Sequence, residues 1–142
     1  MLYYLSLGSN IGEREQTLRQ ALNIMEQQIG SIMRCSSFYY SAPWGYKSEH
    51  EFCNLCCSVQ TELQPHQMLA ATQNIERQLG REHKSVNRQY QDRTIDIDII
   101  KAFDGETEIE ANSPELTIPH PLWQEREFVC VPLSEITGSG KQ

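Results

Sequence analysis

Apolar and polar positions along the chain follow two different periods, which predict strands in some stretches and helices in others. Alternating or continuous apolar runs predict strands over residues 2–7, 31–40, 51–63 and 92–100. Apolar residues at helical spacing predict one helix over residues 13–29, ended by Gly30, and a second that begins at Pro65 and ends at Gly80. The segment from residue 81 to 92 has little periodicity and predicts a loop.

The stretch from Asp92 to Ile100 carries the clearest pattern. Successive side chains of a strand point to opposite faces, so its isoleucines share one face while Asp96 and Asp98 share the other. Neighbouring carboxylates repel each other and are best tolerated when a cation lies between them. Mg²⁺ suits such hard oxygen ligands. The alternative is an edge strand whose polar face is merely solvated.

The predicted order strand, helix, strand, strand, helix, strand is typical of the split βαβ arrangement. It predicts an α+β protein, a ferredoxin-like α/β sandwich whose antiparallel sheet has its helices packed on one face. The other face, which bears Asp96 and Asp98, is then left for loops. In a chain of 142 residues we expect a single domain over residues 1–137 and a frayed tail over 138–142.

The charge distribution limits the classes of function that the chain could have. A net charge of −7 argues against a nucleic-acid-binding protein. Residues 76–93 nevertheless carry +2, and this basic segment runs directly into the Asp96/Asp98 pair. A site that binds a phosphate ester together with Mg²⁺ would need both basic side chains and a carboxylate pair. A solvated helix end and loop would also explain the charges.

Hydropathy and cysteine content predict a cytoplasmic protein. No apolar run approaches the roughly 18 residues that cross a bilayer, and the first residues do not resemble a signal peptide, so we expect no membrane association. The five cysteines are an odd number, which favours free thiols in a reducing compartment. The spacing of Cys53 and Cys56 is that of a CxxC pair, but it falls on a predicted strand and favours buried thiols over a metal site.

Other candidate residues lie in loops and on the third predicted strand. Pro43 and Trp44 belong to an irregular segment that either packs down or lines a pocket for a flat ligand. Phe52 and Asn54 share a strand face and offer a stacking surface and an amide. His120 stands between two prolines, which indicates a positioned loop residue.

Five groups of residues occur in a fixed order over nearly the whole chain: Gly8-Ser9-Asn10; Pro43-Trp44-Gly45 with Phe52-Cys53-Asn54; Glu76 with Gly80-Arg81; Arg93-Thr94-Ile95-Asp96-Ile97-Asp98; and Ile118-Pro119-His120-Pro121 with Arg126 and Phe128. Together they resemble the 6-hydroxymethyl-7,8-dihydropterin pyrophosphokinase family of folate biosynthesis. The resemblance implies transfer of the β,γ-diphosphate of ATP to the pterin hydroxymethyl group, with release of AMP.

The resemblance also implies the site residues, the cofactor and the partners. Asp96 and Asp98 would hold two Mg²⁺ ions and, with two arginines, form the catalytic set Arg88, Arg93, Asp96 and Asp98. The ATP-binding residues would be Arg81, Arg88, Arg93, His120 and Arg126. The pterin-binding residues would be Pro43, Trp44, Phe52, Asn54 and Phe128. The partners would be the two small-molecule substrates alone, bound by a monomer.

Two other functions fit parts of the pattern. A different Mg²⁺-dependent phosphotransferase or a nuclease could use the same aspartate pair, but a nuclease would need the basic groove that a net charge of −7 does not favour. A non-enzymatic ferredoxin-like binding module would leave both aspartates solvated.

Overall fold

The sheet of this protein is antiparallel and mixes long central strands with short edge strands. The computed structural model describes residues 1–42, 51–80 and 95–137. The strands are β1 Leu2–Ser9, β2 Ser31–Cys35, β3 Tyr39–Ser41, β4 Phe52–Gln60, β5 Asp96–Asp104, β6 Thr107–Glu108, β7 Ala111–Asn112 and β8 Thr117–Ile118. The helices are α1 Arg14–Gln28, α2 Pro65–Gly80 and α3 Glu127–Thr137, preceded by a 3₁₀ turn over Trp123–Glu125.

The three longest strands form the centre of the sheet. Its order is β2-β4-β1-β5-β6, with β3 also pairing to β4, while β7 and β8 form a separate two-stranded sheet. Strand β1 therefore lies between β4 and β5, and Gly8 is opposite Asn54 on one side and Asp96 on the other. The α+β fold with an antiparallel sheet is confirmed.

Strand alternation divides the core into two layers. The face toward α1 and α2 buries one set of side chains, including Leu5, Leu7, Leu55, Ile97 and Met25. Ile95, Ile97 and Ile99 all belong to this layer, as the sequence pattern predicts. The opposite face holds a smaller cluster formed by Cys56, Ile100, Val129, Leu133 and Ile136.

The third helix is the main departure from the sequence prediction. Helix α3 packs its Val129, Leu133 and Ile136 on Cys56 and Ile100, so the second face of the sheet is not left to loops alone. The expectation that the helices lie on one face holds for α1 and α2 and is wrong for α3. The spacing of those three residues, four and then three apart, is helical, but Pro132 and the continuous apolar run from 129 to 133 obscure it.

Several element boundaries also differ from the prediction. The predicted strand over 31–40 is two strands, β2 and β3. Strand β1 continues through Gly8 to Ser9 instead of ending before the glycine. Strand β5 begins at Asp96, and the predicted start at 92–94 and the predicted tail at 138–142 lie outside the described residues. Within the described ranges no helix is both long and apolar enough to cross a membrane.

Candidate active site

Asp96 and Asp98 open β5 and lie on the sheet face away from α1 and α2. Both are half-buried, and their partners across β1 are Gly8 and Ser6. Glycine and serine leave space above the strand, so the carboxylates are not covered from that side. In the described part of the chain no group of three or more His, Cys, Asp or Glu side chains is arranged to hold a metal ion. Two carboxylates nevertheless fit Mg²⁺, because that ion completes its shell with water and substrate phosphates.

Arg126 brings a positive charge to this pair. Its Nη1 lies 3.9 Å from Asp98 Oδ2, and its guanidinium carbon lies over the ring of Phe128, 5.8 Å from the ring centroid. The arginine stands just before α3, so the helix that the sequence did not predict fixes its position. A guanidinium held on an aromatic face beside a carboxylate is suited to bind a phosphate oxygen.

His120 joins the same group through the loop after β8. Its backbone N–H donates to Ile100 O at 2.9 Å, and its Nδ1 accepts from the N–H of Leu122 at 3.1 Å. Burial is the main cause that lowers the pKa of His120, and Arg126 lowers it further, while Asp96 opposes them. The imidazole is therefore neutral near pH 7 and carries its proton on Nε2, where it can donate a hydrogen bond.

Asn54 and Phe52 stand at the other edge of this surface. The Asn54 side-chain amide is buried and donates to Tyr39 O at 2.9 Å and to Ser41 Oγ at 2.8 Å. Because both N–H groups point toward β3, the Oδ1 atom is the group turned toward Gly8, where an added Cβ would lie 2.9 Å from it. The Phe52 ring lines the same position, at 3.3 Å from that Cβ.

Phe128 borders a cavity of about 440 Å³. The cavity lies between β3 and the first turn of α3, and its other lining residues include Tyr39, Ser41, Ala42 and Cys130. Ser41 is also the residue that holds the Asn54 amide. The cavity therefore borders the residue that holds the Asn54 amide, and its volume is that of a site for a small ligand.

The structure thus gathers two groups of predicted residues on one sheet face. The first is Asp96, Asp98, His120 and Arg126; the second is Phe52, Asn54 and Phe128. The remaining predicted site residues, Pro43, Trp44, Arg81, Arg88 and Arg93, lie outside the described residues.

The CxxC pair does not form a metal or redox site. Cys53 belongs to the core layer under α1 and α2, whereas Cys56 belongs to the cluster under α3. Residues three apart on a strand point to opposite faces, so the two thiols cannot bind one ion. All five cysteines are free, and burial raises the pKa of Cys53 to about 11 and that of Cys56 to about 12.

Two site features were missed by sequence reasoning. The first feature is Gly8, which lies beyond the predicted strand over residues 2–7, yet it belongs to β1 and lies between Asn54 and Asp96. A glycine inside an apolar strand often marks a close approach of another group, and this signal was available. The second feature is Glu76, which accepts a hydrogen bond from the N–H of Ile97 at 2.7 Å.

Comparison with known proteins finds one family over nearly the whole chain. The family model for 7,8-dihydro-6-hydroxymethylpterin-pyrophosphokinase (HPPK) matches residues 4–138. A 2-amino-4-hydroxy-6-hydroxymethyldihydropteridine pyrophosphokinase of Porphyromonas gingivalis is 43% identical over 135 residues, covering 95% of this chain and 90% of that protein. One of Bacillus subtilis is 39% identical over 134 residues, covering 94% and 76%.

Among solved structures, a chain described as HPPK-DHPS in complex with substrates superposes with a TM-score of 0.68 at 17% identity. The match covers 95% of this chain and 40% of that longer one. At this identity the likeness concerns the fold alone.

Proposed function

The chain belongs to the 7,8-dihydro-6-hydroxymethylpterin-pyrophosphokinase family, and we propose that its Asp96/Asp98 pair binds the Mg²⁺ that the family reaction would use here. The reaction itself follows from the family and from its relatives: the chain transfers the diphosphate of ATP to the hydroxymethyl group of the dihydropterin, a step of folate biosynthesis. The pterin hydroxyl oxygen loses its proton to solvent and forms a bond to the β-phosphorus, the bond from that phosphorus to the α,β-bridging oxygen breaks, and AMP leaves with the bridging oxygen.

The observation that carries the metal proposal is the placement of two carboxylates beside cationic and proton-donating groups. Asp96 and Asp98 share a face of β5, and Arg126 Nη1 lies 3.9 Å from Asp98. Asp96 and Asp98 would hold two Mg²⁺ ions, which would supply positive charge to neutralise the phosphate oxygens. The rest of the charge on the triphosphate would be met by the protein.

Arg126 and His120 would bind phosphate oxygens of ATP. The guanidinium of Arg126 has a fork of N–H donors, and the neutral imidazole of His120 presents its Nε2–H. Arg81, Arg88 and Arg93 would add donors from the segment before β5, with Arg88 and Arg93 acting on the transferred group. Phosphoryl transfer depends on positioning and charge stabilisation, so donors of this kind suffice as the protein's contribution.

The pterin would lie between Phe52 and Phe128 with its polar edge at Asn54. The Asn54 Oδ1 is an acceptor for a ring N–H, because both amide N–H groups are used by β3. Pro43 and Trp44 would complete the wall beside Ala42. In this arrangement the pterin hydroxymethyl group points across β1 toward Asp96, since Gly8 of β1 lies between Asn54 of β4 and Asp96 of β5.

We also propose that the protein is a single domain over residues 1–137 and acts as a monomer on small molecules in the cytoplasm. Five free cysteines, three of them buried, fit a reducing compartment.

A product assay tests the proposed function. The protein is incubated with ATP and Mg²⁺, with and without 6-hydroxymethyl-7,8-dihydropterin, and nucleotides are separated by chromatography. We expect AMP only when the pterin is present, and no AMP after chelation of Mg²⁺. Formation of ADP would point to a simple kinase or ATPase, and AMP formation in excess EDTA would overturn the metal proposal.

A further inference from the structure

The C-terminal part of α2 contacts the strand that carries the aspartate pair. Glu76 Oε2 accepts a hydrogen bond of 2.7 Å from the backbone N–H of Ile97, the residue between Asp96 and Asp98. The bond joins residues 21 positions apart in the chain and is partly buried. It therefore links a helix to the backbone of the site and does not belong to the regular hydrogen bonding of either element.

The geometry of β5 explains why this N–H needs such a partner. Over residues 96–98 strand β5 pairs with β1, whereas its pairing with β6 is confined to Phe103 and Asp104. Successive backbone N–H groups of a strand point to opposite edges, so the N–H of Ile97 points away from β1. The Glu76 carboxylate takes the place of a neighbouring strand at that point.

The consequence is that the backbone under the aspartates is held from both edges. Asp96 and Asp98 are in register with Gly8 and Ser6 of β1, and Ile97 between them is tied to α2. The side chain of Ile97 is buried on the opposite face of the sheet. A small rotation or slip of the strand would move both carboxylates at once, because faces alternate with a period of two.

We propose that Glu76 is a positioning residue for the divalent-cation site, acting through its hydrogen bond to Ile97 and not as a ligand. This inference rests on the proposed role of Asp96 and Asp98. Its physical basis is that an acceptor fixed on α2 sets the rotation of β5 about its own axis and hence the direction of both carboxylates. A carboxylate acceptor makes a shorter and stronger bond than a neutral one, which suits a backbone that must resist two repelling charges.

Three variants separate this role from others. Glu76→Ala removes the acceptor. Glu76→Gln keeps an oxygen of the same reach and removes the charge. Glu26→Ala is the matched control, because Glu26 on α1 accepts from the N–H of Ile32 at 3.2 Å in the same helix-to-strand manner, far from the aspartates.

Metal binding is the readout, with Mn²⁺ as the probe. Mn²⁺ is titrated by electron paramagnetic resonance in the presence of α,β-methylene ATP, which cannot transfer its diphosphate. We expect Glu76→Ala to weaken Mn²⁺ binding by about 10- to 100-fold, the range typical when a group that orients metal ligands is removed. Glu76→Gln should recover most of the affinity, and Glu26→Ala should bind as the wild type does.

Amide exchange supplies an independent readout. The Ile97 amide should exchange faster with solvent in Glu76→Ala than in the wild type, and Glu76→Gln should restore its protection. Unchanged Mn²⁺ affinity in Glu76→Ala would overturn the inference. Equal weakening in Glu76→Gln and Glu76→Ala would also overturn it, because the charge and not the hydrogen bond would then be responsible.

The inference and the proposed function fail in distinguishable ways. A wild-type protein that forms no pterin-dependent AMP, yet shows the expected Mn²⁺ pattern, would contradict the reaction and retain Glu76 as a positioning residue. A wild-type protein that forms AMP, with Glu76→Ala indistinguishable from it in Mn²⁺ affinity, would contradict the role of Glu76 alone.

Discussion

Replacement of Gly8 by alanine is the most informative single change in the proposed pterin site. The residue lies within β1 between Asn54 and Asp96. An alanine Cβ would lie 2.9 Å from Asn54 Oδ1 and 3.3 Å from Phe52 Cδ1. Heavy atoms in favourable contact stay about 3.5–4.0 Å apart, so the asparagine would have to move.

The Asn54 side chain cannot move freely. Its amide donates hydrogen bonds of 2.9 and 2.8 Å to β3, and the residue is 2% exposed. Overpacking of a well-packed site typically costs about 1–3 kcal/mol. We expect Gly8→Ala to lower the free energy of unfolding by an amount in this range.

The same displacement should weaken pterin binding. The Oδ1 that would accept from the pterin is the atom that must shift, and a loss of about 1.4 kcal/mol corresponds to a tenfold weaker affinity. The three heavy atoms nearest the added Cβ belong to Asn54 and Phe52 and none to Asp96, so nucleotide binding should change much less.

Calorimetry checks this prediction. Binding of 6-hydroxymethyl-7,8-dihydropterin and of α,β-methylene ATP is measured for the wild type and for Gly8→Ala. Gly80→Ala is the control, since an added Cβ at Gly80 meets no atom of residues 1–42, 51–80 or 95–137 within 4 Å. Wild-type pterin affinity in Gly8→Ala would refute the placement of the pterin over β1. An equal loss for both ligands would mean that the change disturbs the whole site and not the pterin position.

Three further predictions concern the core, the histidine and the basic segment. Leu5 is fully buried under α1 and α2, so Leu5→Ala should cost about 2–5 kcal/mol in urea unfolding; a cost below 1 kcal/mol would contradict the packing. Because the pKa of His120 is lowered by burial and by Arg126, the unfolded chain takes up a proton there more readily than the folded one. The unfolding free energy of the wild type relative to His120→Gln should therefore fall as the pH drops from about 6.5 through the lower folded pKa, whereas a pH-independent difference would contradict this account. Arg88→Ala should lower the rate of AMP formation more than it weakens pterin affinity; the reverse order would place Arg88 at the pterin.

Local periodicity was enough to predict the central elements of the fold. The isoleucines of β5 and the apolar stripes of α1 and α2 bury the residues that their spacing indicates. The third helix could not be recognised in this way. Pro132 removes a backbone donor, and all residues from Val129 to Leu133 are apolar, so no alternation of polar and apolar residues shows a helical period. The helical spacing of Val129, Leu133 and Ile136 can be identified only when their contacts with Cys56 and Ile100 are known.

The parts of the candidate site that depend on the chemistry of side chains could be predicted from the sequence. The parts that depend on contacts with the backbone could not. The Asp96/Asp98 pattern and the proline-flanked His120 are visible in the chain itself. The contact from Glu76 to Ile97 joins distant residues through a backbone N–H, which carries no mark in the sequence. The glycine at position 8, next to an apolar strand, is a sequence signal for a close approach, but the groups that approach it, Asn54 and Asp96, are known only from the strand register.

The most direct test of the account is the rate of AMP formation by Asp98→Asn. Asparagine keeps the size of the side chain and removes the charge that would hold Mg²⁺ and pair with Arg126. We expect pterin-dependent AMP formation to be abolished at saturating Mg²⁺, with a thermal unfolding midpoint close to that of the wild type. Wild-type AMP formation by Asp98→Asn would contradict the claim that the carboxylate pair of β5 is the metal site.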